Sequence, residues 1–202
     1  MRAYRGPGRV HEVCCYPEFD GLIEAHVELI HGVWDAAGRP ANVRLLFSAH
    51  GLPQRCVDAG DPYQHQVERT CAAILKRLDW RGEHRICYQS RVGPMKWLGP
   101  STPEAILEAC RDDMGVLLDP VAFVSEHVET LVELDRDYGE LARKANCRAY
   151  LRVGAVGEHP AFIGGLAMLA KAALGRGGLA PEGRPCQGAW ADCPLQSQRK
   201  AA

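Results

Sequence analysis

Apolar runs of strand length alternate with amphipathic stretches of helix length along this chain, and that alternation constrains the fold more than any other feature. Val43 to Phe47 is short and almost continuously apolar, the pattern of a strand covered on both faces, and it breaks at Ser48-Ala49-His50-Gly51-Leu52-Pro53. Before it, Phe19, Leu22, Ile23, Val27, Ile30, Val33, Trp34 and Ala37 recur at helical spacing until Gly38 and Pro40 end the pattern. After it, Val67, Cys71, Ile74, Leu75 and Leu78 predict a second helix, Arg85 to Gln89 a second strand, and Arg91 to Pro100 a loop. Ser101-Thr102-Pro103-Glu104 combines a capping hydroxyl, an early proline and a first-turn acid, so a helix is expected to about Arg111. Val116 to Val124 reads as the third strand, although Asp119-Pro120 interrupts it. Ser125 then opens a long charged helix to about Ala145, Arg148 to Val153 is a fourth strand, and a last helix covers Phe162 to Leu174.

Four such alternations predict an α/β fold, a four-stranded parallel sheet flanked by helices through right-handed crossovers. A chain of 202 residues suits one main core. The expected division is a short N-terminal lead over residues 1–12, a domain over 13–174 and a poorly ordered tail over 175–202, where Gly, Pro, Gln and Arg follow no period.

Charge narrows the partners. Lys plus Arg total 24 against 25 Asp plus Glu, a net charge of −1, so neither a nucleic-acid surface nor a polybasic membrane patch is expected. The longest apolar stretch, Ala161 to Ala170, is far below the roughly 20 residues of a membrane-spanning helix. The first residues hold Arg2, Arg5 and Arg9 without a secretory apolar segment, and a cytoplasmic location is expected. Nine cysteines form no C-x-x-C pair, which predicts reduced and mostly buried thiols.

In parallel sheets ligands bind at the carboxyl ends of the strands. That rule selects three loops: His50 after the first strand, Gln89-Ser90-Arg91 after the second, and Ser125-Glu126-His127 after the third. At His50, glycine permits an unusual backbone and proline stiffens the exit; the imidazole can take a proton or ligate a metal, or simply bond its own loop. Glu126, Glu129, Glu133 and Asp137 fall at i, i+3, i+7 and i+11, one face of the helix expected from Ser125. Such like charges destabilise a helix unless cations or protons occupy the row. Glu126 and Glu129, in the first turns, are the site candidates; Asp137 and Glu140 read as a solvated face, and His127 as a packing residue or a ligand. Val92, Met95, Trp97 and Leu98 give the second loop an apolar character suited to a flat ligand.

Four ordered blocks resemble ferrochelatase: Phe47-Ser48-Ala49-His50-Gly51-Leu52-Pro53, Gly60-Asp61-Pro62-Tyr63, Gln89 to Pro100, and Phe123-Val124-Ser125-Glu126-His127-Val128-Glu129-Thr130-Leu131 followed by Glu133-Leu134-Asp135. Order and spacing agree from about Val13 to Leu174. The resemblance implies one Rossmann-like half of the chelatase fold, and insertion of ferrous iron into a porphyrin, protoporphyrin or coproporphyrin, in haem synthesis. It makes His50 and Glu129 the catalytic pair and metal-binding positions, adds Glu126 and Glu133 as further metal positions, and sets Met95 and Trp97 beside the macrocycle with Ser90 as a third substrate-binding candidate. A porphyrin loses two pyrrole protons as Fe²⁺ enters, so a neutral His and carboxylates suit the chemistry.

Members of the family have a further N-terminal half forming the other wall of the cleft, whereas only Met1 to Arg9 precede the matching region here. The expected partners are therefore porphyrin, ferrous iron, and a separate N-terminal half or a second copy. Two alternatives stand beside the leading reading: a non-catalytic tetrapyrrole- or metal-binding relative, or one component of a split enzyme; and a chelatase for cobalt or nickel. Some members bind a [2Fe-2S] cluster through four cysteines; with only Cys186 and Cys193 in the tail, none is expected here, and Fe²⁺ is expected as substrate.

Overall fold

The computed structural model describes residues 11, 13–174, 190, 191 and 193, so the expected lead and tail otherwise lie outside the described residues. Helix α1 (Asp20–Ala36) leads into β1 (Val43–His50), and α2 (Gln54–Asp58) with α3 (Tyr63–Leu78) returns the chain to β2 (His84–Gln89). Helix α4 (Thr102–Arg111) connects to β3 (Gly115–Asp119). A helical run follows, made of α5 (Val128–Thr130), a π-helical segment (Leu131–Tyr138) and α6 (Gly139–Lys144), before β4 (Tyr150–Arg152) and α7 (Pro160–Leu174). The strands form one sheet of order β2-β1-β3-β4 in which every neighbouring pair is parallel, the α/β architecture the alternation predicts.

Side-chain alternation along β1 builds two layers on the sheet. Val43, Leu45, Phe47 and Ala49 pack with Ile23 and Ile30 of α1 and Cys71 and Ile74 of α3. Leu46, from the opposite face, joins Val116, Leu118, Ile106 and Ala109 of α4, and Leu134 and Ala142 of the later helical run. Gly165 is required where α7 crosses α1, because a Cβ there would lie 2.1 Å from the Phe19 ring. A buried hydrogen bond of 3.0 Å between His26 Nδ1 of α1 and Asp119 Oδ1 ties that helix to the end of β3. Among the described residues no helix is long and apolar enough to cross a membrane.

Several boundaries differ from expectation for identifiable reasons. Strand β1 continues through Ser48 and Ala49 to His50, because Ser48 is buried and finds side-chain partners instead of ending the ladder. Strand β3 stops at Asp119, since Pro120 has no N–H to donate to a neighbour. Helix α4 begins as expected, with Ser101 accepting from the Glu104 N–H and the Glu104 carboxylate returning to the Ser101 N–H, a closed capping box. The cysteines are not all reduced: Cys110 and Cys147 form a disulfide linking the end of α4 to the segment after α6, while Cys14, Cys56, Cys71, Cys87 and Cys193 keep free thiols. Neither partner has a C-x-x-C neighbour, so only the fold brings them together.

Candidate functional site

The strand order reverses between β1 and β3, the crevice where ligands bind in open α/β sheets. His50 ends β1 at this crevice, and the loop after β3 supplies its other side. The His50 carbonyl accepts a 3.0 Å bond from the Tyr63 hydroxyl, and burial pushes that phenol up to about 12. Gly51 N–H donates to Gln89 O at 2.8 Å, and a Cβ on Gly51 would meet the same oxygen at 2.8 Å. The glycine is therefore required for close approach between two loops rather than for a left-handed backbone.

The His50 ring does both things open to it. Nδ1 lies 2.8 Å from the Gly51 carbonyl, which can only accept, so Nδ1 carries a proton and a neutral ring keeps its lone pair on Nε2. That Nε2 faces Glu129 Oε1 at 3.5 Å, with both side chains about two-fifths exposed (45% and 39%). The two groups are close without a closed hydrogen bond, leaving Nε2 open to a third group.

Glu129 owes its place to an unusual cap. His127 is the N-cap of α5, and its Nδ1 accepts the Glu129 N–H at 3.1 Å while its own N–H bonds the Thr130 hydroxyl. The His127 Nδ1 is thus unprotonated, and its 4.0 Å approach to Glu129 Oε2 is proximity rather than an ion pair. The Phe123 ring stacks near both histidines, at 5.3 Å from His127 and 6.5 Å from His50. His127 is a capping and packing residue.

Because the helix starts after His127, Ser125 and Glu126 precede it, and the expected four-carboxylate row does not form. The π-helical segment widens the turn and shifts the later positions further from a 3.6-residue face. Glu126 turns instead to β4 and the residues after it, where its Oε1 accepts from Arg152 Nη1 at 2.5 Å and Ala155 N–H at 2.8 Å. Partial burial opposes its charge, but these donors outweigh it and hold its carboxyl below the usual glutamate value.

Glu133 stays beside the crevice but is fully engaged. It accepts from Ser90 N–H at 2.8 Å, Ser90 Oγ at 2.5 Å, Gln89 Nε2 at 3.2 Å and the Tyr138 hydroxyl. Burial and that carboxylate both push the Tyr138 phenol up. Ser90 adopts φ +57°, which aims its N–H at Glu133, so its hydroxyl serves the protein rather than the open cleft. Gln89 also holds the Glu129 carbonyl at 2.7 Å and accepts from Ser48, which meets Thr102 at 2.9 Å. Tyr138 and the Ser48–Thr102 link escape sequence reasoning, because a lone tyrosine in a helix and two hydroxyls far apart in the chain carry no local pattern.

Of the four expected metal positions, the structure pairs His50 with Glu129, anchors Glu133 and commits Glu126 elsewhere. Among the described residues no three His, Cys, Asp or Glu side chains converge to hold a metal ion. Cys14, Cys15 and Cys193 line one cavity of about 390 Å³ without forming such a group, and Cys186 lies outside the described residues.

Beside the pair lies an open cleft of about 860 Å³ between the 90–97 loop and the 128–138 helix, walled by Val92, Met95, Trp97, Val128 and Val132, with Glu129 on its edge. The loop is fastened to the His50 side by Gln54 N–H to Lys96 O at 2.9 Å and Leu98 N–H to Leu52 O at 3.0 Å. The expected Met95 and Trp97 positions therefore meet a real cleft.

A part-exposed histidine–carboxylate couple at a sheet switch point, beside an open cleft walled by both apolar and acidic side chains, defines an α/β cleft protein. The ferrochelatase family profile matches residues 1–174, and the chain belongs to that family. It is 50% identical to the ferrochelatase of Caulobacter vibrioides (strain NA1000 / CB15N), over 99% of this chain and 58% of the relative. It is 54% identical to that of Phenylobacterium zucineum (strain HLK1), over 90% and 53%, and 45% identical to that of Hyphomonas neptunium (strain ATCC 15444), over 100% and 57%. The chain spans about half the length of the curated relatives it matches.

Proposed function

We propose that this chain carries the proton-accepting wall of a ferrochelatase, a lyase that inserts Fe²⁺ into a porphyrin for haem synthesis, with porphyrin and ferrous iron as substrates. The observation that carries this reading is the open Nε2 of His50, held 3.5 Å from Glu129 at the edge of the cleft. As the metal enters the ring, two pyrrole N–H bonds give up their protons. Neutral His50 accepts one at Nε2, where the Glu129 carboxylate across the gap stabilises the imidazolium that forms, and the second leaves to bulk water through the open cleft. The Gly51 carbonyl fixes the tautomer throughout. Val92, Met95 and Trp97 supply the apolar surface for a macrocycle, and Glu133 keeps the helix seated on β2. Family membership supports the same reaction, and a cytoplasmic setting is part of the proposal.

The test is insertion of Fe²⁺, or Zn²⁺ as a surrogate, into protoporphyrin or coproporphyrin, followed by absorbance, with Co²⁺ and Ni²⁺ in parallel. The chain is assayed alone and with the remaining part of the C. vibrioides protein supplied in trans. Insertion of iron or zinc supports the reading. Insertion of only cobalt or nickel, or porphyrin binding without insertion under both arrangements, contradicts it.

A further inference from the structure

Glu133, Leu134 and Asp135 are consecutive residues in the middle of the π-helical segment, and each is held by a different element. Glu133 is gripped by the end of β2 and by Tyr138. The Leu134 side chain is fully buried in the core, and its carbonyl accepts the Tyr150 hydroxyl at 2.7 Å. Asp135 receives a two-pronged bond from Arg152, Nε to Oδ1 at 2.5 Å and Nη2 to Oδ2 at 2.7 Å. The third nitrogen, Nη1, reaches Glu126 at 2.5 Å and the Val153 carbonyl at 3.2 Å. Arg152 is only 14% exposed, and its guanidinium stays charged beside two carboxylates. Tyr150 and Arg152 alternate along β4 and so share the strand face that meets the helix.

Arg152 spans the start of the helical run. One prong holds the loop before α5 and two hold the wide turn after it, with His127, Glu129 and Glu133 between. A π-helical turn is rare outside single bulges, and without outside support the segment would tighten toward α-helical pairing. Such tightening would rotate Glu129 and Glu133 relative to one another.

We propose that Arg152 is a positioning residue that, with Tyr150, clamps the widened turn and so sets the distance from Glu129 to His50, while Glu126 serves as its counter-anchor. Arginine suits this role because its planar fork meets Asp135 with two parallel bonds and still leaves a donor for Glu126, which a lysine cannot do. The catalytic half of the inference rests on the proposed metal insertion; the clamp itself does not.

The test therefore uses two readouts on Arg152→Met and Arg152→Lys in the 202-residue chain. Hydrogen exchange of the 131–138 amides should quicken by about tenfold in Arg152→Met and less in Arg152→Lys, with the β1 amides unchanged. Zinc insertion, in whichever arrangement the unaltered chain is active, should lose about 30-fold in kcat with porphyrin KM held within about twofold, as expected when a catalytic group is displaced by a fraction of an ångström to an ångström. Unchanged helix exchange, or equal quickening in β1, overturns the clamp. Quickened helix exchange with unchanged kcat overturns the positioning role. Absence of insertion by the unaltered chain contradicts the proposed function, and exchange then decides the clamp alone. Asp135→Asn and Tyr150→Phe, which disturb less, are read by the same criteria should Arg152→Met fail to fold.

Discussion

Glu129 and Asp137 both border the same cleft, but their surroundings assign them different work. Glu129 faces His50, whereas Asp137 accepts from its neighbour Arg136 at 2.8 Å and is half exposed. Glu129→Gln keeps the size and removes the charge, and should cost about 100-fold in kcat/KM for metal insertion; Asp137→Asn should cost less than about threefold. Equal losses would show that the carboxylates act as a diffuse field. Glu126 is tested through acid stability. Its folded pKa is depressed, so its contribution is present above the unfolded value of about 4.5 and disappears as pH falls through the lower folded value. Glu126→Gln should therefore shallow the loss of stability below pH 4.5, by less than about 1 kcal/mol given its partial exposure, measured by urea unfolding across that window. Sequence reasoning placed His50 and Glu129 near one sheet edge because strand ends are local signals, whereas the carboxylate row it drew from spacing did not form. It could not see that Glu126 is spent on Arg152, since nothing in sequence order brings residues 126 and 152 together.

Short elements meeting at one sheet edge carry the site, and their joints are where substitutions should tell. Gly51→Ala would press a methyl group against the Gln89 carbonyl, a backbone atom held in β2 and unable to yield. A loss of about 2 kcal/mol in urea unfolding is expected, with insertion activity falling further than stability as His50 shifts. The Cys110–Cys147 bridge closes a separation of 37 residues between α4 and the segment before β4. Chain-entropy arithmetic gives about 4 kcal/mol for a loop of this length, so Cys147→Ser should lower the unfolding free energy by up to that amount. A reductant should lower the unaltered chain toward the same value and leave Cys147→Ser unmoved. The elements themselves were largely legible, because long helical periods and short apolar runs are strong signals; α4 begins at the expected cap. What escaped was set by tertiary contact: the polar end of β1, buried against Thr102 and Gln89, and the π-helical winding, held by partners on β2 and β4. Short α2 also gave no periodic signal.

At the scale of the molecule, the sheet's switch point, the 90–97 loop and the 128–138 helix make a cleft whose rim leaves Val92 at 75%, Val128 at 66% and Met95 at 42% exposure. Apolar surface of this kind marks a place where a ligand or another protein surface sits. A macrocycle is held best by contact on both faces and around its edge, and the described cleft is open. Porphyrin should accordingly bind the 202-residue chain more weakly than it binds the chain joined in trans by the remaining part of the C. vibrioides protein. His50 Nε2 is the group proposed to meet the pyrrole proton, and zinc insertion by His50→Ala in the active arrangement, alongside circular dichroism to confirm folding, is the decisive measurement. The ring lies at a strand end and is nearly half exposed, so its loss should spare the core. The expected result is a folded protein that binds porphyrin and has lost at least about 1,000-fold of its insertion rate. Near wild-type turnover by folded His50→Ala would remove His50 from the proton transfer.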